Sequence, residues 1–190
     1  MIKRIITNSI EVKLAILNSE TKLKTIDEVV SIVTDVFRKD GKVFFCGNGG
    51  SAADAQHLAA EFSGRFYFDR PPLFAEALQV NTSYLTAVGN DYGYEYIFSR
   101  LIQAKGRKGD ILIGLSTSGN SENIVRAFRQ AKAQGVITIG LTGEGGGEMQ
   151  DISDYLITVP SKDTPRIQES HIMIGHIICE LVEKNLFEKS

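Results

Sequence analysis

Short apolar runs that alternate with helical patterns constrain the fold of this 190-residue chain more than any other feature. Residues 43–46, 111–115 and 136–141 are almost continuously apolar, and segments with helical periodicity lie between them. Strands buried on both faces of a parallel sheet have this composition. The sequence therefore predicts an α/β protein with a parallel sheet between two layers of helices.

The remaining elements follow the same alternation. The sequence predicts further strands at 74–78 and 155–159, and helices near 84–88, 94–104, 121–134 and 165–188. Two helices fill residues 1–40, the second beginning after Thr25 and stopping at Gly41. We expect one domain over 1–190, in which 41–190 form the α/β core and the N-terminal helices pack against other subunits.

The composition excludes several classes of protein. A formal net charge of -2 argues against a nucleic-acid-binding surface. No apolar run approaches the roughly 20 residues of a membrane span, and the polar start MIKRIITNSIEVK has no secretory pattern, so we expect a cytoplasmic protein. Cys46 and Cys179 lie in apolar runs, which favours buried free thiols over a disulfide.

A glycine-rich turn follows the first predicted strand. It contains Asn48, Gly49, Gly50 and Ser51, and a helix begins directly after it. Glycines let backbone N–H groups approach a ligand, and a helix start favours negative charge. The same pattern also occurs where a chain only changes direction, so the turn alone leaves ligand binding open.

A serine-rich turn follows the predicted strand at 111–115. Its hydroxyl residues are Ser116, Thr117, Ser118 and Ser121. A helix cap needs only one of these hydroxyls. The other three favour an anion with several acceptor oxygens, such as a phosphate monoester. The turn has no lysine and no G-x-x-x-x-G-K pattern, which argues against a nucleoside triphosphate.

His57 and Glu61 lie one turn apart on the helix after the glycine-rich turn. The C-terminal helix, for which Thr164 is the expected cap and Pro165 the first residue, carries two more histidines. Gln168, His171, Gly175 and His176 interrupt its apolar pattern. Such residues serve either packing or chemistry. The loop at 63–72 likewise either lines a site or folds over it.

Four stretches of the chain closely resemble the phosphoheptose isomerases, within the sugar-isomerase (SIS) family of phosphosugar-binding domains. They are GNGGSAADAQHLAAEFSGRF, TAVGNDYGYE, GLSTSGNSEN and TPRIQESHIMIGHIICELVE. The resemblance implies a flavodoxin- or Rossmann-like SIS fold. It also implies conversion of D-sedoheptulose 7-phosphate to D-glycero-D-manno-heptose 7-phosphate through an enediol, for lipopolysaccharide or capsule heptose.

The resemblance also implies roles for individual residues. It assigns the phosphate to Ser116, Thr117, Ser118 and Ser121, and the sugar to Asn48, Gly49, Gly50, Ser51, Asn90, Asp91 and Gln168. It assigns one zinc ion per active site to His57, Glu61, Gln168 and His176. Glu61 and His176 are the implied acid–base pair, a role that suits a carboxylate and an imidazole. A group bound to zinc is not free to act as a base, so ligation and catalysis compete at Glu61 and His176.

Helix geometry predicts that the implied site joins subunits. Gln168 and His176 are eight residues apart, about 12 Å along one helix. Two side chains so far apart would not reach one ion, so we expect different subunits to supply them. The N-terminal helices would then hold a homo-oligomer together, with a tetramer as the expected state.

Two other functions are compatible with parts of the pattern. A non-catalytic SIS-domain protein that binds a phosphosugar, or associates with a replication initiator, could retain much of the same site. The full set of His57, Glu61, Gln168 and His176 favours the enzyme. A lysine Schiff-base lyase is disfavoured because no lysine lies in either turn or beside His57.

Overall fold

A computed structural model describes residues 1–188 of the chain. In chain order the elements are α1 (Ile2–Leu17), α2 (Glu20–Arg38), β1 (Val43–Gly47), α3 (Gly50–Ser63), β2 (Ala75–Ala77), α4 (Thr82–Asp91), α5 (Ile97–Lys105), β3 (Ile111–Ser116), α6 (Glu122–Gln134), β4 (Ile137–Thr142), α7 (Met149–Ile152), β5 (Tyr155–Thr158) and α8 (Thr164–Phe187). A short 3₁₀ turn, Tyr94–Tyr96, precedes α5.

The five strands form one sheet in the order β2-β1-β3-β4-β5, and every neighbouring pair is parallel. Side chains alternate between its two faces. Phe45 and Ile113 pack in a core with residues of α2, α3 and α8. Phe44 and Leu112 pack in a second core with residues of α5 and α6. The predicted three-layer α/β fold is confirmed.

Several element boundaries differ from the predicted ones. Helix α2 begins at Glu20, before Thr25, whose hydroxyl donates to the Thr21 carbonyl within the helix. Asp40, with a φ of 59°, turns the chain after α2, so Gly41 follows the turn rather than making it. The segment predicted as one helix at 94–104 divides into the 3₁₀ turn and α5, and the short helix α7 was not predicted.

The start of α8 also differs. Asp163 is the residue that precedes the helix, and Thr164 is the first helical residue rather than the cap. Pro165 consequently occupies the second position, where its missing N–H still costs no helical hydrogen bond. Cys46 and Cys179 are free and buried, as predicted.

The two predicted N-terminal helices are present, and their side chains differ in exposure to solvent. Helix α2 buries Val29 and Val33 completely. Helix α1 leaves a row of apolar side chains open to solvent: Ile2, Ile5, Ile6, Ile10, Leu14 and Leu17, between 47% and 76% exposed. Among residues 1–188, no helix has both the length and the apolar character required to cross a bilayer.

Candidate active site

The glycine-rich and serine-rich turns lie side by side at the carboxyl edge of the sheet. They follow β1 and β3, which are neighbours paired from Val43–Ile111 to Gly47–Leu115. The chain leaves β1 toward β2 on one side, while β3 lies on the other side. Connections that diverge in this way open a crevice, which is where parallel α/β sheets bind ligands.

The glycine-rich turn presents backbone to this crevice. Gly49 has a φ of 56° and a ψ of -123°, a conformation that favours glycine, and a Cβ placed there would have no neighbour within 4 Å. Helix α3 begins at Gly50, and Ser51 is buried in its first turn. The space beside Gly49, directly before α3, is therefore open.

Asn48 is held by two residues that the sequence did not single out. Its amide exchanges two hydrogen bonds of 2.9 Å with the amide of Asn123, which is buried at the start of α6. The Tyr94 hydroxyl donates to Asn48 Oδ1 at 2.9 Å. This network links the two turns through side chains 75 positions apart, so no local pattern could have indicated it.

The serine-rich turn gathers its hydroxyls rather than capping the helix. Ser121 precedes α6, but its side chain makes no capping hydrogen bond. Its Oγ lies 3.0 Å from the Ser116 Oγ, which lies 3.4 Å from the Ser118 Oγ. Thr117 is half-buried beside them. Three hydroxyls thus converge in front of the N-terminus of α6, and the simple helix cap is not what the structure contains.

The loop 143–148 supports the serine-rich turn from behind. The Glu148 N–H donates to Asn120 Oδ1 at 2.8 Å, and the Met149 N–H donates to the Gly119 carbonyl at 3.1 Å. Gly119 has a φ of 68° and lies against the backbone of Gly146. The turn is consequently a fixed surface, and its shape does not depend on Ser121 alone.

Glu61 and two histidines form a second cluster, on the flank of the sheet. Glu61 Oε1 lies 2.9 Å from His57 Nε2, which lies 3.2 Å from His176 Nε2. The three ligand-type atoms all lie within 4.8 Å of one another. Two imidazole nitrogens and one carboxylate oxygen that converge in this way fit the donor set of a zinc site with three protein ligands.

Helices α3 and α8 bring these side chains together by running side by side in the same direction. Gly175 packs against Leu58, since a Cβ at Gly175 would lie 2.5 Å from both Leu58 Cδ atoms. Two turns earlier, Gln168 packs its amide against Gly50. Gln168 therefore lies at the glycine-rich turn and His176 at His57. Within one chain, these two side chains are well separated along α8.

Asp54 is an acidic residue near the cluster that the sequence did not indicate. Burial raises the pKa of its carboxyl, and the nearby imidazoles of His57 and His176 reduce that rise. Within the described residues its Oδ2 atom is buried without a hydrogen-bond partner. Its position one turn before His57 on α3 was the signal that could have identified it.

His171 is separate from the cluster. It is completely buried, and its Nε2 donates to the Thr142 carbonyl at 3.1 Å. Burial lowers the pKa of His171 to about 4, although the hydrogen bond to Thr142 opposes this change. The sequence left packing and chemistry open for the histidines of α8, and His171 serves packing.

Asn90 and Asp91 lie at the exposed end of α4, where the Asn90 amide donates to Asp91 Oδ1 at 2.9 Å. The structure brings neither into the two turns by a hydrogen bond among the residues it describes. The loop at 63–72 reaches the His–Glu cluster through Phe66, whose ring lies 5.7 Å from the His176 ring.

Comparison with known proteins agrees with this architecture. Residues 10–143 match the SIS domain family. A phosphoheptose isomerase of Aneurinibacillus thermoaerophilus is 58% identical over 186 residues, which cover 98% of this chain and 94% of that protein. The chain belongs to the phosphoheptose isomerase family.

Solved phosphoheptose isomerases also share the fold. The enzyme from Francisella tularensis superposes with a TM-score of 0.92 at 35% identity, covering 96% of each chain. The enzyme from Neisseria gonorrhoeae gives a TM-score of 0.90 at 39% identity, covering 96% of this chain and 97% of that one. The fold on which the site is built is therefore that of the family.

Proposed function

We propose that this chain is a phosphoheptose isomerase that converts D-sedoheptulose 7-phosphate to D-glycero-D-manno-heptose 7-phosphate. The convergence of Glu61, His57 and His176 is the observation that carries the proposal. A ketose-to-aldose conversion requires one proton to leave the carbon next to the carbonyl and one to reach the carbonyl carbon, through an enediol. Carboxylates and imidazoles are the groups that enzymes use for such transfers.

The serine-rich turn binds the phosphate in this proposal. Ser116, Thr117, Ser118 and Ser121 supply hydroxyl donors, and the N-terminus of α6 supplies a favourable dipole. The Ser121 hydroxyl, which bonds to the Ser116 hydroxyl rather than capping α6, supports this role. A phosphate monoester has enough acceptor oxygens to use several of these donors at once.

The sugar lies between the two turns. Asn48, Gly49, Gly50, Ser51, Asn90, Asp91 and Gln168 are its proposed partners. Asn48 is the best supported of them, because Asn123 and Tyr94 fix the orientation of its amide. One N–H of that amide remains for a sugar oxygen.

Glu61 and His176 share the proton transfer. Glu61 takes or returns the carbon-bound proton, and His176 is the complementary acid or base. His57, Glu61 and His176 would also hold a zinc ion, and these three donors fit zinc. Gln168 is the proposed fourth ligand. When bound, the metal would polarise the substrate carbonyl.

The complete site is shared between subunits in this proposal. Gln168 lies at Gly50 and His176 at His57, and one straight helix separates them by about 12 Å. A homotetramer held by the N-terminal helices would bring a second copy of α8 to each site. We place this single-domain enzyme in the cytoplasm, where it would supply heptose for lipopolysaccharide or capsule.

Incubation of the purified protein with sedoheptulose 7-phosphate, with and without a chelator, tests the proposal. We expect formation of the aldose phosphate, and a lower rate after the metal is removed. Phosphosugar binding without aldose formation would instead support a non-catalytic SIS-domain protein. Unchanged turnover after chelation would show that the reaction does not need the metal.

A further inference from the structure

A buried ion pair ties the loop after α3 to α8. Arg70 Nε lies 2.9 Å from Glu183 Oε1, and the two side chains are 2% and 1% exposed. Burial of two charges carries a desolvation cost that an apolar pair of similar size avoids. The role of this ion pair therefore depends on what else its two side chains bind.

Glu183 organises three consecutive residues of the loop. Its carboxylate accepts hydrogen bonds from the N–H groups of Phe66, Tyr67 and Phe68, at 2.9, 2.6 and 3.0 Å. Burial alone would raise the pKa of Glu183, but these hydrogen bonds and the one from Arg70 outweigh it and lower the pKa. The carboxylate is therefore charged and fully occupied by this loop.

Arg70 holds the C-terminal end of α3. Its guanidinium donates to the carbonyl of Glu61 at 2.9 Å and to the carbonyl of Phe62 at 2.7 Å. It also donates to the carbonyls of Gly64 and Pro71. The ion pair thus connects the backbone of Glu61 directly to α8.

The same network extends to His176. Glu183 follows His176 by seven residues, about two helical turns, so both lie on one face of α8. Phe66, whose N–H is bound by Glu183, places its ring 5.7 Å from the His176 ring. One set of contacts therefore links the backbone of Glu61 to the ring of His176.

We propose that Arg70 and Glu183 are positioning residues, which hold the Glu61 backbone and the His176 ring in the arrangement that the active site requires. The role rests on the proposed function, because it concerns the same Glu61 and His176. Neither residue touches the crevice between the two turns, so both act through other residues. Apolar side chains in their place would leave the loop N–H groups and the α3 carbonyls without these partners, so the change would lower stability as well as alter the local geometry.

The double variant Arg70→Met/Glu183→Met removes the network, and circular dichroism checks that the protein is folded. We expect a lower unfolding temperature than that of the wild type, because backbone N–H and carbonyl groups lose their partners, so the other measurements are made well below that temperature. We expect zinc affinity, measured by competition with a chromophoric chelator, to fall about 10- to 100-fold, the range found for residues that orient metal ligands. The value of kcat should fall by at least about 10-fold, with a smaller change in KM.

A partly exposed ion pair on the same helix supplies the matched control. Lys184 Nζ lies 2.7 Å from Glu180 Oε1 at the surface of α8. The variant Glu180→Met/Lys184→Met removes the same two charges from neighbouring positions. We expect its zinc affinity and kcat to remain close to those of the wild type.

Wild-type zinc affinity and kcat in a folded Arg70→Met/Glu183→Met protein would overturn the proposal. Should that variant not fold, Arg70→Lys decides, because lysine keeps the charge but lacks the fork that reaches two carbonyls. Wild-type kcat in Arg70→Lys would also overturn it. If the wild type shows no isomerase activity or zinc binding, the proposed function fails, and the NMR shifts of the His176 ring, set in part by Phe66, still test the positioning.

Discussion

Glu61 and His171 are titratable residues of the same layer of helices, and their surroundings differ. The Glu61 side chain is 24% exposed and lies beside two imidazoles. His171 is fully enclosed, with one ring nitrogen bonded to a carbonyl and the other without a partner in the described chain. Accessibility and partners therefore leave Glu61 open to a ligand and His171 closed to one.

Replacement of Glu61 by Gln should remove the proton transfer and keep the shape of the site. We expect turnover to fall by about 10²- to 10⁴-fold, the usual contribution of a general acid or base. Circular dichroism and binding of inorganic phosphate should remain close to the wild type. Steady-state kinetics give the measurement, and turnover like that of the wild type would remove Glu61 from the mechanism.

His171 should make stability depend on pH. Its folded-state pKa of about 4 lies below the ordinary value of 6.5, so between these values the unfolded chain binds a proton that the folded chain does not. The stability that depends on a neutral His171 is therefore present above pH 6.5 and is lost as the pH falls toward 4. From about pH 7 to about pH 5 the free energy of unfolding should fall by about 2 kcal/mol through this residue.

Urea unfolding at those two pH values, at one protein concentration, checks this expectation. His171→Gln retains a donor for the Thr142 carbonyl but does not titrate in this range. Its loss of stability between the two pH values should be smaller than that of the wild type by about the same 2 kcal/mol. An equal loss in both proteins would show that His171 does not contribute.

At the scale of elements, the contact between α3 and α8 determines the geometry of the His–Glu cluster. Sequence periodicity identified both helices and placed their histidines on them. It did not indicate which part of α8 lies beside His57, because that alignment depends on the close approach of Gly175 to Leu58. Likewise, the sequence does not give the start of α2, because the Thr25 hydroxyl donates to the Thr21 carbonyl inside the helix instead of capping its first turn.

Gly175→Ala tests this contact. The added Cβ would lie 2.5 Å from the Leu58 side chain, which is 2% exposed and has little room to move. We expect a loss of about 1–3 kcal/mol in the free energy of unfolding, typical of an overpacked core, together with lower activity as His176 moves away from His57. Chemical unfolding and kinetics measure both effects.

Gly89 in α4 provides the control for this substitution. A Cβ at Gly89 would meet nothing within 4 Å. Gly89→Ala should therefore leave stability unchanged or raise it by up to about 1 kcal/mol, the difference in helix propensity. A Gly175→Ala protein as stable as Gly89→Ala would contradict the close packing of α3 on α8.

At the scale of the whole molecule, the exposed apolar row of α1 is the surface on which the proposed assembly depends. Ile6, Ile10 and Leu14 follow one another at intervals of four residues and are between 47% and 54% exposed. A row of this kind on one helix is typical of an interface between helices. The proposed tetramer would bury it against other copies of the chain.

The variant Ile6→Lys/Ile10→Lys should weaken that assembly. We expect sedimentation analysis to show a smaller species with unchanged helix content, because charges would replace apolar side chains at the interface. Asn8→Lys, which adds a charge on the opposite side of α1, should keep the assembly of the wild type. An unchanged mass in the double variant would place the interface elsewhere.

Mixed oligomers test whether subunits share a site. Gln168→Ala and His176→Ala chains should each be inactive alone. If different subunits supply the two side chains, some sites in a mixed oligomer contain both native residues, so activity should recover in part. No recovery in oligomers that are proven to be mixed would favour sites within single chains.

The sequence alone determined the α/β fold, the two turns at the carboxyl edge of the sheet, and the residue types available for chemistry. These features follow from short-range patterns: apolar runs, helical spacing, and glycines and serines between them. Only the tertiary structure decided that His176 meets His57, that Gln168 lies at Gly50, and that Arg70 pairs with Glu183. These contacts join positions more than 100 residues apart, and they depend on how α3, α8 and the intervening loop pack together rather than on any local pattern.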